Sequence, residues 1–201
     1  LKNPNSDISQ QVTENYSDAT LRYVGKSAIP KIMGGFTLNG GYKGFSLSAQ
    51  FLYRIGGYAY DGTYASLMNN NRIGLNNWHK DMLQSWNDNA FNPNTNSHIP
   101  RLSNGLAAGG LNDTQANATS SRFLTKADYL ALNNLRLAYD FSNDVVSNIG
   151  LTGLSFFVTG DNLWLSTKRK GFNPTTSESG SSSTYTYSPV TTFTFGVRAK
   201  F

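Results

Sequence analysis

The 201-residue chain contains no cysteine. That excludes a disulfide framework, a thiolate nucleophile and thiolate metal ligation. Charge is scarce too, at 14% Asp, Glu, Lys and Arg against a usual ~25%. No apolar run approaches the ~18 residues that a transmembrane helix needs, so a helical membrane span is excluded. There are only two histidines, His79 and His98, too far apart in a polar stretch for metal-ligand spacing. Asp81, Asp88 and Asp113 have no apolar pocket in view that would make them an acid–base pair. "GLAAGGL" (105–111) lacks the Lys-Ser/Thr of a phosphate loop. The chain is therefore not read as an enzyme. The net charge is +5, yet its only cationic cluster, Lys168-Arg169-Lys170, has no recognition motif around it, so no nucleic-acid partner is expected. No cofactor is expected either. Calcium in the Asn-rich "NDNAFNPNTN" (87–96) is the one ion to consider, although the acidic loop with a closing Glu is missing. Residues 1–20 do not read as a signal peptide, which implies a cytoplasmic chain or a fragment beginning elsewhere.

Asn, Ser, Thr, Gly and aromatics fill the space that charge leaves. That bias favours strands, turns and long polar loops. The alternation is explicit in "TTFTFGVRAKF" (191–201). Phe193, Phe195, Val197, Ala199 and Phe201 share one face, and Thr192, Thr194, Gly196, Arg198 and Lys200 the other. Residues 31–55 read as a hairpin around Lys43-Gly44. Phe36, Leu38 and Tyr42 are on the apolar face of one arm, and Phe45, Leu47, Ala49, Phe51, Tyr53 and Ile55 on that of the other. A further strand fits 129–141 with Leu135, Leu137, Tyr139 and Phe141 outward, leaving Leu130 and Leu132 on the polar side. The last fits 151–162, with Leu154, Phe156 and Val158 outward and Phe157 interrupting the polar face.

Connections alternate short and long: 43–44, then about seventy residues (58–128), then 142–150, then 162–189. Tight turns at one end and long loops at the other are the habit of a transmembrane β-barrel. Phe201, Phe141, Tyr42 and Phe45 fall at the short-turn end, and Tyr53, Tyr58, Tyr129 and Trp164 at the long-loop end, as interfacial aromatic belts do. The fold class is thus all-β, a transmembrane antiparallel barrel. Five strands are odd and too few to close, so they are C-terminal strands of a larger barrel. Residues 1–30 read as an extracellular loop remnant and 31–201 as barrel, with extracellular loops 58–128 and 162–189. A passive porin-like barrel and a soluble glycan-binding β-sandwich are the alternatives.

Several motifs, in order, resemble one family. These are "GKSAIPKIMGGFTLNGGYKGFSLSAQFLYRIGGYAYD" (25–61), "WHKDMLQSWNDNAFNPNTNSHIPRL" (78–102), "YLALNNLRLAYDF" (129–141), "VTGDNLWLSTKRKGFNP" (158–174) and "SPVTTFTFGVRAKF" (188–201). They are similar to the barrel segment of the SusC/RagA-type TonB-dependent transporters of Bacteroidetes. Asn173 stands where the family usually has an acid, and a Thr stands where Arg is common in the last motif. The resemblance implies a 22-stranded barrel in the bacterial outer membrane, surrounded by membrane lipid and filled by an N-terminal plug. It also implies a SusD-like surface lipoprotein as lid and import of oligosaccharides or peptides with energy passed through TonB. A terminal aromatic such as Phe201 resembles the assembly signal of bacterial outer-membrane proteins.

Candidate substrate-binding residues lie in loop 58–128, where aromatic faces and side chains that bond hydroxyls or amides occur together: Asn70, Arg72, Trp78, Trp86 and Arg101. Packing of each tryptophan within the loop, or against a lid, is the competing role. Arg54, Arg136, Arg198 and Lys200 are expected to face the lumen.

Overall fold

A computed structural model describes residues 16–69, 77–102, 118–148, 150–169, 171–176, 181–182 and 187–201. The strands are β1 (Ile32–Tyr42), β2 (Phe45–Ile55), β3 (Tyr58–Tyr60), β4 (Leu124–Lys126), β5 (Tyr129–Asp140), β6 (Gly153–Thr167) and β7 (Thr192–Lys200). The long strands form one antiparallel sheet in the order β1-β2-β5-β6-β7, and β3 pairs with β4 separately. The chain divides into two compact units, Leu1–Lys26 with Tyr60–Leu124, and Ser27–Ala59 with Thr125–Phe201. Among the described residues, no helix is long and apolar enough to cross a membrane.

The sheet belongs to the second unit, and its hairpin has the expected register, Tyr42 opposite Phe45 and Phe36 opposite Phe51. Lys43 (φ 46) and Gly44 (φ 86) are both left-handed, as a two-residue type I′ turn requires. At this end Phe45 packs on Tyr139 at 4.6 Å between ring centroids, and Tyr139 on Phe141 at 4.9 Å. A short helix, Asn143–Ser147, lies within the connection from β5 to β6.

Two departures from simple alternation correct the sequence reading. Between β2 and β5 the register steps from Gln50↔Asn134 to Phe51↔Leu132, so Asn133 is an extra residue, a β-bulge. Inserting one residue exchanges the faces beyond it. Leu130 and Leu132, expected on the polar side, therefore pair with Tyr53 and Phe51 on the apolar side. Against β6, Asn134 pairs with Asp161 and Leu132 with Trp164, leaving Asn162 and Leu163 between the two pairs. Asn162 is left-handed (φ 53), donates through Nδ2 to the Val190 carbonyl at 3.2 Å, and accepts from Thr191 Oγ1 at 2.9 Å. With this irregularity accommodated, β6 continues past Asn162, where the sequence pattern appeared to end, to Thr167.

The apolar face is uncovered. Leu38 is 60% exposed, Phe193 61% and Phe195 69%. A soluble sandwich would bury these side chains against a second sheet. Five strands that present one uncovered apolar face are instead a piece of barrel wall, with that face toward lipid.

The polar face accounts for Phe157. Its β7 partner is Gly196, and a Cβ built there would lie 2.2 Å from the Phe157 ring. The Arg136 guanidinium sits over that ring at 4.4 Å. We expect Gly196→Ala to destabilise the assembled barrel by about 1–3 kcal/mol through overpacking. In a double-mutant cycle with Phe157→Ala, read by thermal unfolding, at least ~1 kcal/mol of that loss should disappear, because the clash needs both side chains.

Candidate functional site

In the first unit, short helices gather loop side chains around a small core. Asp61 caps helix Gly62–Leu67 by accepting the Tyr64 N–H at 3.0 Å. His79 Nδ1 caps the 3-10 turn Lys80–Gln84 by accepting the Asp81 N–H at 3.2 Å. The same Nδ1 lies 3.3 Å from the Asp81 carboxylate. Tyr64 OH donates to the same carboxylate at 3.0 Å. Ala65, Met68, Met82 and Phe123 form the core, with Tyr60, Tyr64, Trp78 and Ile99 packed against it. Phe123 is fully buried, and the Arg122 guanidinium lies 5.1 Å from its ring centre. Burial lowers the Arg122 pKa from its ordinary value, an effect partly opposed by Tyr64.

Beside this core lies an open cleft of about 740 Å³ lined by Trp78, His79, Lys80, Met82, Leu83, Ser85, Trp86, Asn87, Asp88, Arg101 and Leu102. Three of the five sequence candidates, Trp78, Trp86 and Arg101, are thus brought to one cavity. Asn70 and Arg72 lie outside the described residues. The two tryptophans differ. Trp78 packs on the core and donates Nε1–H to the Asn69 carbonyl at 3.0 Å. The Trp86 backbone N–H donates to the Ile99 carbonyl at 2.8 Å. The half-buried Trp86 indole N–H has no hydrogen-bond acceptor among the described residues. Sequence reasoning passed over Lys80, Leu83, Asp88 and Leu102 as cleft residues. Their closeness along the chain to Trp86 and Arg101 was the available signal.

The Asn-rich segment spends its oxygens locally. Asn87 Oδ1 accepts from the Asn89 N–H at 3.2 Å, and Asn89 Oδ1 from the Phe91 N–H at 3.0 Å. An Asn87↔Asn94 bridge closes the turn. Among the described residues no three His, Cys, Asp or Glu side chains are grouped to hold a metal.

The four sheet cations all fall on the polar face, in different settings. Arg54 is buried and donates to the Ala28 carbonyl. Arg136 lies over Phe157. Arg198 stands opposite Ser155 and Lys200 opposite Gly153, both exposed. Phe201 is 94% exposed, while its carbonyl accepts from Thr152 Oγ1 at 3.2 Å.

No family model matches the chain. A TonB-dependent receptor, P3, from Formosa agariphila is 25% identical over 182 residues, which is 86% of this chain and 16% of the receptor. The RagAB peptide importer in its open-open state is 26% identical with a TM-score of 0.73, over 98% of this chain and 20% of that one. Its closed-closed state gives 25% and 0.74 over the same shares. A further structure of the RagAB peptide transporter gives 27% and 0.70, over 89% of this chain and 18% of that one. The chain thus spans about a fifth or less of the length of these relatives. They are receptors and transporters, not enzymes, and proteins of this kind reside in the outer membrane. Ordered sequence motifs, an open sheet with an uncovered apolar face, and these likenesses over nearly its whole length make the chain similar to a piece of the barrel of the SusC/RagA-type TonB-dependent outer-membrane transporters.

Proposed function

We propose that this chain supplies barrel wall and a substrate-contacting cleft to a TonB-dependent importer of peptides. The observation that carries this reading is the convergence of Trp78, Trp86 and Arg101 on one cleft. Its chemistry favours a peptide over an oligosaccharide. Met82, Leu83 and Leu102 add aliphatic surface for side chains, while Arg101 and Asp88 offer opposite charges for a carboxylate and an amine. A sugar site would draw more on flat rings and amides. The RagAB neighbours, peptide importers by name, support the same choice. In the whole transporter a plug would fill the barrel, a SusD-like lipoprotein would cover the extracellular mouth, and TonB would deliver the energy.

The test uses the intact transporter, titrated calorimetrically with defined oligopeptide and oligosaccharide mixtures. Peptides should bind, and Trp86→Ala should weaken them at least about tenfold, the loss of one buried aromatic contact. Binding of oligosaccharides alone overturns the peptide assignment. Uptake that persists without TonB points instead to a passive pore.

A further inference from the structure

Strand β6 outruns its neighbour. Thr192 at the start of β7 pairs with Asp161, but β6 continues to Thr167. On its other side β6 stays paired with β5 to the end, Thr167 opposite Tyr129. Among the described residues, 163–167 are therefore laddered along one side only. The parting is built into the chain. Left-handed Asn162 holds Val190 and Thr191 through its own amide and carbonyl, and Pro189 has no N–H with which to extend a ladder. β1 and β7 end the sheet order, so strands that complete the barrel add there and not beside β6. The pairing also fixes which backbone groups face the open side. The Asp140 N–H bonds to the Gly44 carbonyl, so even-numbered residues of β2 turn to β5. Leu52 and Arg54 thus bond Ala131 and Tyr129, which leaves Leu130 and Leu132 to bond Ser166 and Trp164 of β6. The N–H and C=O groups of Leu163, Leu165 and Thr167 are turned to the open side, and among the described residues no backbone group answers them.

A cavity of about 510 Å³ follows this edge. Its lining takes in all of residues 164–168, together with Phe172, Asn173 and Ser188. Successive strand residues point to opposite faces, and here exposure alternates: Trp164, Ser166 and Lys168 are exposed, Leu165 and Thr167 half-buried. A space that touches both sets lies in the plane of the sheet, beside the backbone. The open edge is about 13 Å long and presents its N–H and C=O groups again about every 6.6 Å. An extended polypeptide carries the same repeat; the hydroxyls of a sugar do not. An open edge of this kind is a template for strand addition. We propose that the edge of β6 binds the backbone of an incoming peptide as an added strand. The proposal rests on the peptide reading above and deepens it. Main-chain pairing recognises what all peptides share and so admits many sequences, while the cleft at Trp86 supplies contacts to side chains.

The experiment titrates the intact transporter with mixed-sequence hexapeptides in three forms: unmodified, N-methylated at every second residue, and N-methylated throughout. A strand pairs through one edge, so alternate methylation leaves a usable edge and affinity should stay within about twofold. Methylation throughout removes every donor and should weaken binding at least about tenfold, the loss of two or more backbone hydrogen bonds. Recognition through side chains alone would treat the two methylated forms alike, and that result overturns the proposal while leaving the peptide reading in place. Leu165→Pro removes the central edge N–H without touching the ladder to β5, and should weaken the unmodified peptides about two- to tenfold. Leu165→Ala keeps that N–H and should bind within about twofold of the parent. Should Leu165→Pro fail to assemble, Ser188→Trp fills the cavity from the loop side and should weaken binding at least about fivefold. Unchanged affinity in an assembled Leu165→Pro or Ser188→Trp transporter overturns the assignment to β6. Binding of oligosaccharides with no binding of any hexapeptide overturns the peptide reading, and this proposal with it.

Discussion

Leu38→Arg should sharply reduce the amount of assembled transporter in the outer membrane. Leu38 lies near the middle of β1, pairs with Ala49, and is 60% exposed on the apolar face. Near the bilayer midplane a lipid-facing arginine costs about 2–4 kcal/mol. The sign of the effect is the informative part. On a protein surrounded by water, an arginine for an exposed leucine is close to neutral for stability, within about 0.5 kcal/mol, and improves solubility. The polar-face control, Thr37→Arg, should be far milder, because its side chain projects to the opposite side. Heat-modifiable electrophoretic mobility of outer-membrane fractions reads both variants. Equal behaviour of the two would remove the assignment of the apolar face to lipid.

Gly44→Val should be at least as damaging, for a different reason. Gly44 has φ 86, a conformation that costs a β-branched residue about 1–3 kcal/mol. A Cβ there would also sit 2.7 Å from the Asp140 carbonyl oxygen, a backbone atom that cannot rotate away. That carbonyl belongs to a residue whose own N–H donates to the Gly44 carbonyl at 2.8 Å, so relief by moving β5 breaks the bond that seats the turn. With overpacking adding ~1–3 kcal/mol, the sum is about 2–6 kcal/mol. Lys43→Asn should be neutral or mildly stabilising, because asparagine tolerates the left-handed conformation found at φ 46. A Gly44→Val transporter that assembles with normal yield and thermal stability would show that the turn does not set the register.

Most of the sheet was legible in the residues. Period-two alternation gave the faces of β1, β2 and β7, and Lys43-Gly44 gave the hairpin register, because both are local properties of the chain. The uncovered apolar face could also be anticipated, since tight turns, long loops and two aromatic levels converge on a barrel. The misread places were those where the strand stops being regular. Leu130 and Leu132 looked misplaced because a β-bulge is invisible to a fixed period, and only pairing with β2 reveals Asn133 as the extra residue. Phe157 looked like an error for a similar reason, until Gly196 and Arg136, distant in sequence, were seen to make its slot.

The loop residues divide along the same line. Composition alone could nominate Trp78, Trp86 and Arg101, because aromatic and bidentate side chains carry binding chemistry wherever they occur. It could not say that they share a cleft, nor that Trp78 packs on the loop core and donates its indole N–H to the Asn69 carbonyl. By itself the sequence determined which side of each regular strand is apolar and where the chain reverses, since these depend on neighbours a few residues away. Tertiary structure decided the bulge, the slot beneath Arg136 and the meeting of the loop side chains. Each of these depends on which distant backbone lies alongside, and pairing between strands, not the order of residues within one, fixes that.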